Sequence, residues 1–138
     1  EDSMTTITTR LTRDFGLKHP IVLAPMGFAA GGRLAAAVSR AGGLGLIGGG
    51  YGDPAWLDEQ FEAAGDARIG VGFITWALQK TPAVLGPVLA RRPAAVMLSF
   101  GDPHPFADDI HRAGARLICQ CQNLAHVADA LDAGADVI

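Results

Sequence analysis

Three stretches of this chain set chemically capable residues directly after an apolar run. Ala24-Pro25-Met26-Gly27-Phe28 follows the first run, Ser99-Phe100-Gly101-Asp102-Pro103-His104 ends the fourth, and Cys119-Gln120-Cys121-Gln122 ends the fifth. Pro25 removes a backbone donor and fixes φ, so a strand stops there and the chain turns outward. The small residues beside it let a flat ligand approach the main chain, although an ordinary Pro-Gly turn reads the same way. His104 has the side chain suited to moving protons near neutral pH, whereas Asp102 ahead of Pro103 has the character of a turn or cap. Strand alternation puts Gln120 and Gln122 on one face and Cys119 and Cys121 on the other. A glutamine at the end of a buried strand needs partners, because an unpaired amide there is costly. A heteroaromatic ligand rich in carbonyls and ring nitrogens supplies them.

One glycine-rich stretch follows the second run, and two more glycines lie inside the third. Gly48-Gly49-Gly50-Tyr51-Gly52 offers bare amides to a phosphate or ring system, or forms a flexible loop. Its spacing is neither a Walker loop nor a dinucleotide fingerprint. Gly70 and Gly72, both inside the third run, signal close packing against that strand's backbone. Trp76 just beyond either walls an apolar pocket or belongs to the core. The Cys-x-Cys pair lacks a second Cys or His pair nearby, so no metal site is expected. His19, His111 and His126 are expected at the surface.

The elements that position these residues recur along the chain. Short apolar runs start at residues 21, 44, 69, 95, 117 and 137, between 20 and 26 residues apart. They are almost continuously apolar, the pattern of parallel strands covered by helices on both faces. The intervening segments read as helices: Arg33–Arg40; a helix capped by Asp53 with Pro54 at its first position, burying Leu57, Phe61 and Ala64; and one capped by Asn123 with Leu124, Val127, Ala128 and Leu131 on one face. A helix starting at Pro82 is expected to kink at Gly86-Pro87. Ala-Gly pairs at 41–42, 64–65, 113–114 and 133–134 close helices ahead of strands. The fold class is therefore α/β. A doubly wound open sheet and an eight-stranded (β/α) barrel, which needs about 250 residues, both fit this array. Ala135–Ile138 reads as a sixth strand cut short, so the chain is expected to be the front part of something larger.

Composition narrows the classes further. Hydrophobic residues make up 49% and charged residues only 18%, so much surface must be buried. Net charge is −3, without the basic cluster that a nucleic-acid partner requires. No run approaches the roughly 18 apolar residues of a membrane span. Glu1-Asp2-Ser3 has the character of a cloning remnant before Met4, and residues 1–10 are expected to be a disordered or tag-derived lead to a domain over 11–138. Two cysteines this close read as free thiols of a cytoplasmic protein.

Leu17-Lys18-His19-Pro20-Ile21-Val22-Leu23-Ala24-Pro25-Met26, followed by Leu34–Gly45, resembles the nitronate monooxygenase family, formerly 2-nitropropane dioxygenases. Ile69–Trp76, Ser99–Pro103 and Gln120–Ile138 are similar to that family's successive segments. The resemblance implies an FMN-dependent TIM barrel truncated within strand six. It further implies that the backbone of Ala24, Pro25 and Met26 borders the flavin and that the Gln120 side chain reaches it. Many members carry Asn where this chain has Gly72, so at that cofactor-binding position a side-chain contact is missing. The family's catalytic His follows strand six, beyond Ile138, and the phosphate loops follow strands seven and eight. The implied reaction converts a nitronate or nitroalkane and oxygen to a carbonyl compound and nitrite. An enoyl-ACP reductase-like FMN enzyme and a noncatalytic half-barrel stand as alternatives, with a flavodoxin-like domain third. The polypeptide alone is expected to be inactive, and to form homo-oligomers or dissolve poorly through its open sheet edge.

Overall fold

A computed structural model describes residues 6–138. Glu1-Asp2-Ser3 and Met4 lie outside the described residues, as does half of the expected 1–10 lead. The elements run α1 (Arg10–Phe15), β1 (Val22–Leu23), α2 (Gly32–Arg40), β2 (Leu44–Gly50), α3 (Pro54–Ala64), β3 (Gly70–Ile74), α4 (Thr75–Lys80), a 3-10 turn (Pro82–Val84), α5 (Leu85–Ala90), β4 (Ala95–Ser99), α6 (His104–Arg112), β5 (Arg116–Gln120) and α7 (Leu124–Asp132).

All strand pairs are parallel and the spatial order is β1-β2-β3-β4-β5, the order of the chain. A doubly wound sheet reverses its order at a switch point; this sheet does not, so the open-sheet reading is excluded. The five strands form a curled half-barrel with helices outside. A parallel bridge from Ile118 to Val137 marks where a sixth strand joins.

Two apolar layers sandwich the sheet. The outer layer packs Ile47, Val71, Phe73, Val96, Leu98 and Leu117 against helix residues that include Leu57, Phe61, Leu78 and Ile110. The inner layer gathers Leu44, Leu46, Ala95 and Ile118 around Phe15. Phe15 sits there because α1 closes the strands' N-terminal end. That helix is fixed by a capping box, with the Thr12 amide donating to Thr9 Oγ1 and the Thr9 amide to Thr12 Oγ1. A polar, short segment carries little periodicity, so the sequence did not reveal α1.

The expected caps are present: Asp53 accepts from the Ala55 and Trp56 amides, and Asn123 from the His126 amide. Gly42, Gly65, Gly114 and Gly134 all adopt positive φ at the helix exits. Three expectations need correction. Gly48–Gly50 is not a loop but the end of β2, with a register shift between Gly48 and Gly50. The third linker breaks at Thr81-Pro82 and not at Gly86-Pro87. Pro87 falls in the first turn of α5, where an amide has no helical acceptor to lose. On α7 only Ala130 is buried, while Leu124 and Leu131 are exposed.

The close approach of α2 to β2 depends on one residue. A Cβ at Gly45 would fall 1.9 Å from the Ala35 carbonyl oxygen, so only glycine lets the helix lie there.

Candidate functional site

The C-terminal ends of β1, β3, β4 and β5 converge on a cleft of about 290 Å³, lined by Ala24, Pro25, Gly72, Met97, Ser99 and Gln120 among others. Sheet register builds it. Gly72, Met97 and Ile118 form one row across β3–β5, and Ile74, Ser99 and Gln120 form the next. The lower row is apolar and continues the inner core. The upper row ends the strands and faces the opening.

Pro25 occupies the space above Gly72: a Cβ on Gly72 would lie 2.3 Å from Pro25 Cγ. The position is therefore filled by the neighbouring ring and is not a gap. Met26 lies outside the cleft's lining, on the exposed rim. Its carbonyl packs down on β2, 2.2 Å from where a Gly48 Cβ would stand. The Gly48 amide donates to Ala30 O at 2.8 Å, so it is unavailable to a phosphate. Of the expected flavin-bordering residues, Ala24, Pro25, Gly72 and Gln120 thus meet in one place, and Met26 stands one residue beyond.

The rim carries features that sequence reading missed. Phe28 and Phe100 have φ of 61° and 63°, a region that non-glycine residues rarely enter. Both are exposed, as are Tyr51 and Trp76. Tyr51 meets Trp76 edge-on with centroids 5.8 Å apart, and Lys80 Nζ lies 4.9 Å from the Trp76 centroid. Trp76 is accordingly a rim residue and not core. Apolar residues after strands were the available signal; their φ values were not legible.

His104 does not join the cleft. It opens α6 with Nδ1 2.6 Å from Asp102 Oδ1 and Nε2 3.0 Å from Asp132 Oδ2, tying α6 to the end of α7. Asp102 also accepts from the His104 amide two residues on, which makes it a turn residue just ahead of the Pro103 N-cap of α6. The hydrogen bond to Asp102, joined by that to Asp132, raises the His104 pKa above 6.5. The His104 amide and ring hold Asp102 below its ordinary 3.8. The contact with His104 charged is present below the ordinary histidine value and lost as pH rises through the raised one; the Asp102 part is present above the ordinary carboxylate value and lost as pH falls through the depressed one. The tie is thus complete between about pH 4 and 6.5. Titration by NMR should give a His104 midpoint above 6.5 that falls toward it in Asp102→Asn; an unchanged midpoint would remove the tie.

His111 pairs with Asp136 at 3.2 Å, and both it and His126 lie on the surface as expected. Burial pushes the Cys119 thiol up to about 11, with Cys121 adding to the effect, so Cys119 is no nucleophile at neutral pH. Both cysteines are free. Among the described residues no cluster could hold a metal ion, and no helix is long and apolar enough to cross a membrane.

A half-barrel of parallel strands with a cleft at their C-terminal ends defines the class: a portion of a (β/α) barrel. Residues 8–69 match the family model of nitronate monooxygenase, which bears out the resemblance over the N-terminal portion. A 44-residue stretch is 48% identical to (3aS,4S,5R,7aS)-5-hydroxy-7a-methyl-1-oxo-octahydro-1H-indene-4-carboxyl-CoA dehydrogenase of Rhodococcus jostii (strain RHA1), covering 32% of this chain and 12% of that protein. Among solved structures, FabK from Thermotoga maritima superposes with a TM-score of 0.84 at 29% identity, over 96% of this chain and 43% of that one. Nitroalkane oxidase from Streptomyces ansochromogenes superposes with a TM-score of 0.78 at 25% identity, over 94% of this chain and 47% of that one. The chain therefore spans less than half the length of either structure.

Proposed function

We propose that residues 11–138 supply the N-terminal part of an FMN-dependent (β/α)8 oxidoreductase of the nitronate monooxygenase type. It would oxidise nitronates or nitroalkanes with oxygen to carbonyl compounds and nitrite. The observation that carries the reading is the meeting of Ala24, Pro25, Gly72 and Gln120 in one cleft, partly inside the segment that matches the family.

The cleft suits a flat tricyclic ring. Pro25 and Met97 give apolar walls, the Ala24 backbone gives an edge, and the exposed Gln120 amide can both donate and accept. The lining residues named above include no lysine or arginine, so a phosphate tail is not held by them. A bound flavin would supply the redox chemistry. The chain's own part is to place the ring's edge against strand ends, exclude water with the Pro25 and Met97 faces, and satisfy one polar edge through Gln120. None of the four histidines lines the cleft, so in this reading the proton is taken by a base these residues do not include. The remaining proposals are a cytoplasmic location and a homo-oligomer that covers the sheet edge.

Replacing Gln120 with leucine removes the polar partner at nearly constant volume. FMN affinity, read by quenching of flavin fluorescence, should fall about tenfold, the scale of one hydrogen bond. Unchanged affinity would remove Gln120 from the site. For the reaction, the holoenzyme should release nitrite from a nitroalkane without NADH. The second reading, an enoyl-ACP reductase-like flavoenzyme, draws on the likeness to FabK. NADH-dependent enoyl reduction without nitrite release would establish it in place of the first.

A further inference from the structure

A second and larger cavity adjoins the cleft. It measures about 580 Å³ and is bounded by Phe28, Tyr51, Trp56, Ile74 and the Gly48–Gly50 backbone. It shares Pro25, Gly50 and Ile74 with the 290 Å³ cleft, so those residues form the partition between two adjoining rooms. Its size suits an organic molecule of moderate mass.

The lining specifies the occupant's chemistry. Three aromatic side chains and an isoleucine form the walls. The charged lining residue is Asp53, and its carboxylate already accepts from the Ala55 and Trp56 amides at 3.0 and 3.2 Å. The Gly48 amide is spent on Ala30 O. Neither a cation nor a free Gly48 amide therefore greets an anion, and the polar atoms carried by the aromatic walls are the Tyr51 hydroxyl and the Trp56 indole N–H. At the lip, Phe28 is 91% exposed and held at φ 61°, an apolar ring kept in water on a strained backbone. An apolar ligand in the chamber would cover that ring.

We propose that this chamber binds the neutral apolar body of the substrate, an aromatic or branched-alkyl group, while the reacting carbon faces the flavin held in the Pro25–Gly72 cleft. The assignment of the reacting carbon rests on the proposed flavin function; the chamber's ligand class rests on its own lining. The enzyme would then prefer bulky hydrophobic substrates to short ones.

Binding is testable without turnover. The probe is 4-fluorobenzyl alcohol, followed by 19F NMR on the purified protein, with trifluoroethanol as the small comparator and inorganic phosphate as competitor. The aryl probe should bind saturably and at least about tenfold more tightly than trifluoroethanol, and phosphate should not displace it. Gly27 lines the chamber, has an ordinary φ, and has open space around a Cβ. Gly27→Leu should therefore fold normally, fill the room and weaken the probe about tenfold or more, while FMN affinity is kept. Absence of saturable binding, displacement by phosphate, or unchanged binding in folded Gly27→Leu would each overturn the proposal. Flavin binding without probe binding sinks this inference alone; probe binding without flavin binding sinks the flavin function and leaves the chamber.

Discussion

On the proposed function, Gly72→Ala should abolish flavin binding, and adding Pro25→Gly should recover part of it. The new Cβ would lie 2.3 and 2.4 Å from Pro25 Cγ and Cβ, and 3.5 Å from Met97 Cβ. A pyrrolidine ring cannot rotate aside, so the Ala24-Pro25-Met26 turn must move as a unit. That turn is pinned on its other side, where the Met26 carbonyl packs on Gly48. The strain is of the kind that costs about 1–3 kcal/mol in other cores. Because the displaced backbone is the cleft's edge, FMN affinity should fall about 100-fold. With Pro25→Gly both obstructing carbons are gone and the second substitution becomes nearly free in stability. Denaturant unfolding and flavin titration of the four proteins form a double-mutant cycle. A coupling near zero would show that the proline does not fill this position.

The second large effect is on stability. At Gly45 an added Cβ would meet the Ala35 backbone at 1.9 Å from oxygen, 2.4 Å from carbon and 2.5 Å from Cα. No rotamer relieves a clash between main chains, so α2 must lift from β2 and release the Ser39 Oγ contact to the Gly45 amide at 2.9 Å. Gly45→Ala should cost about 3 kcal/mol, the upper part of the overpacking range, and lower Tm by roughly 10 °C. Urea and thermal unfolding check this; a loss under about 1 kcal/mol would mean that α2 is seated less tightly than the structure has it.

The two glycines show what the sequence could reveal and what it could not. The strands were legible because parallel strands buried on both faces read as continuous apolar runs, as in Val71 and Phe73 against the outer helices. Helix caps at Asp53 and Asn123 were legible because capping needs particular side chains at particular places. The strand order was not, since an open sheet and a barrel use the same local unit; the resemblance decided it, and the sequential pairing confirms it. At the cleft, Ala24, Pro25 and Gln120 stood out by type and place at strand ends, and Gly72 as a point of close packing inside its strand; the expectation that they border a cofactor came from the resemblance. That Pro25 fills the space over Gly72 depends on a contact between residues 47 positions apart in sequence, which no local pattern encodes. The glycines of Gly48–Gly50 misled for the same reason. Their lack of side chains reads as loop freedom, whereas at Gly48 it admits the Met26 backbone. The aromatic lip at Phe28 escaped because positive φ in phenylalanine has no sequence signature.

The most direct test of the account is a crystal structure of the protein grown with FMN. The isoalloxazine ring should lie across the ends of β1, β3 and β5, bordered by Pro25 and within hydrogen-bond distance of the Gln120 amide. A ring bound instead at the strands' N-terminal end, in the cavity of about 240 Å³ beside Lys18, Arg40 and Arg68, would contradict it.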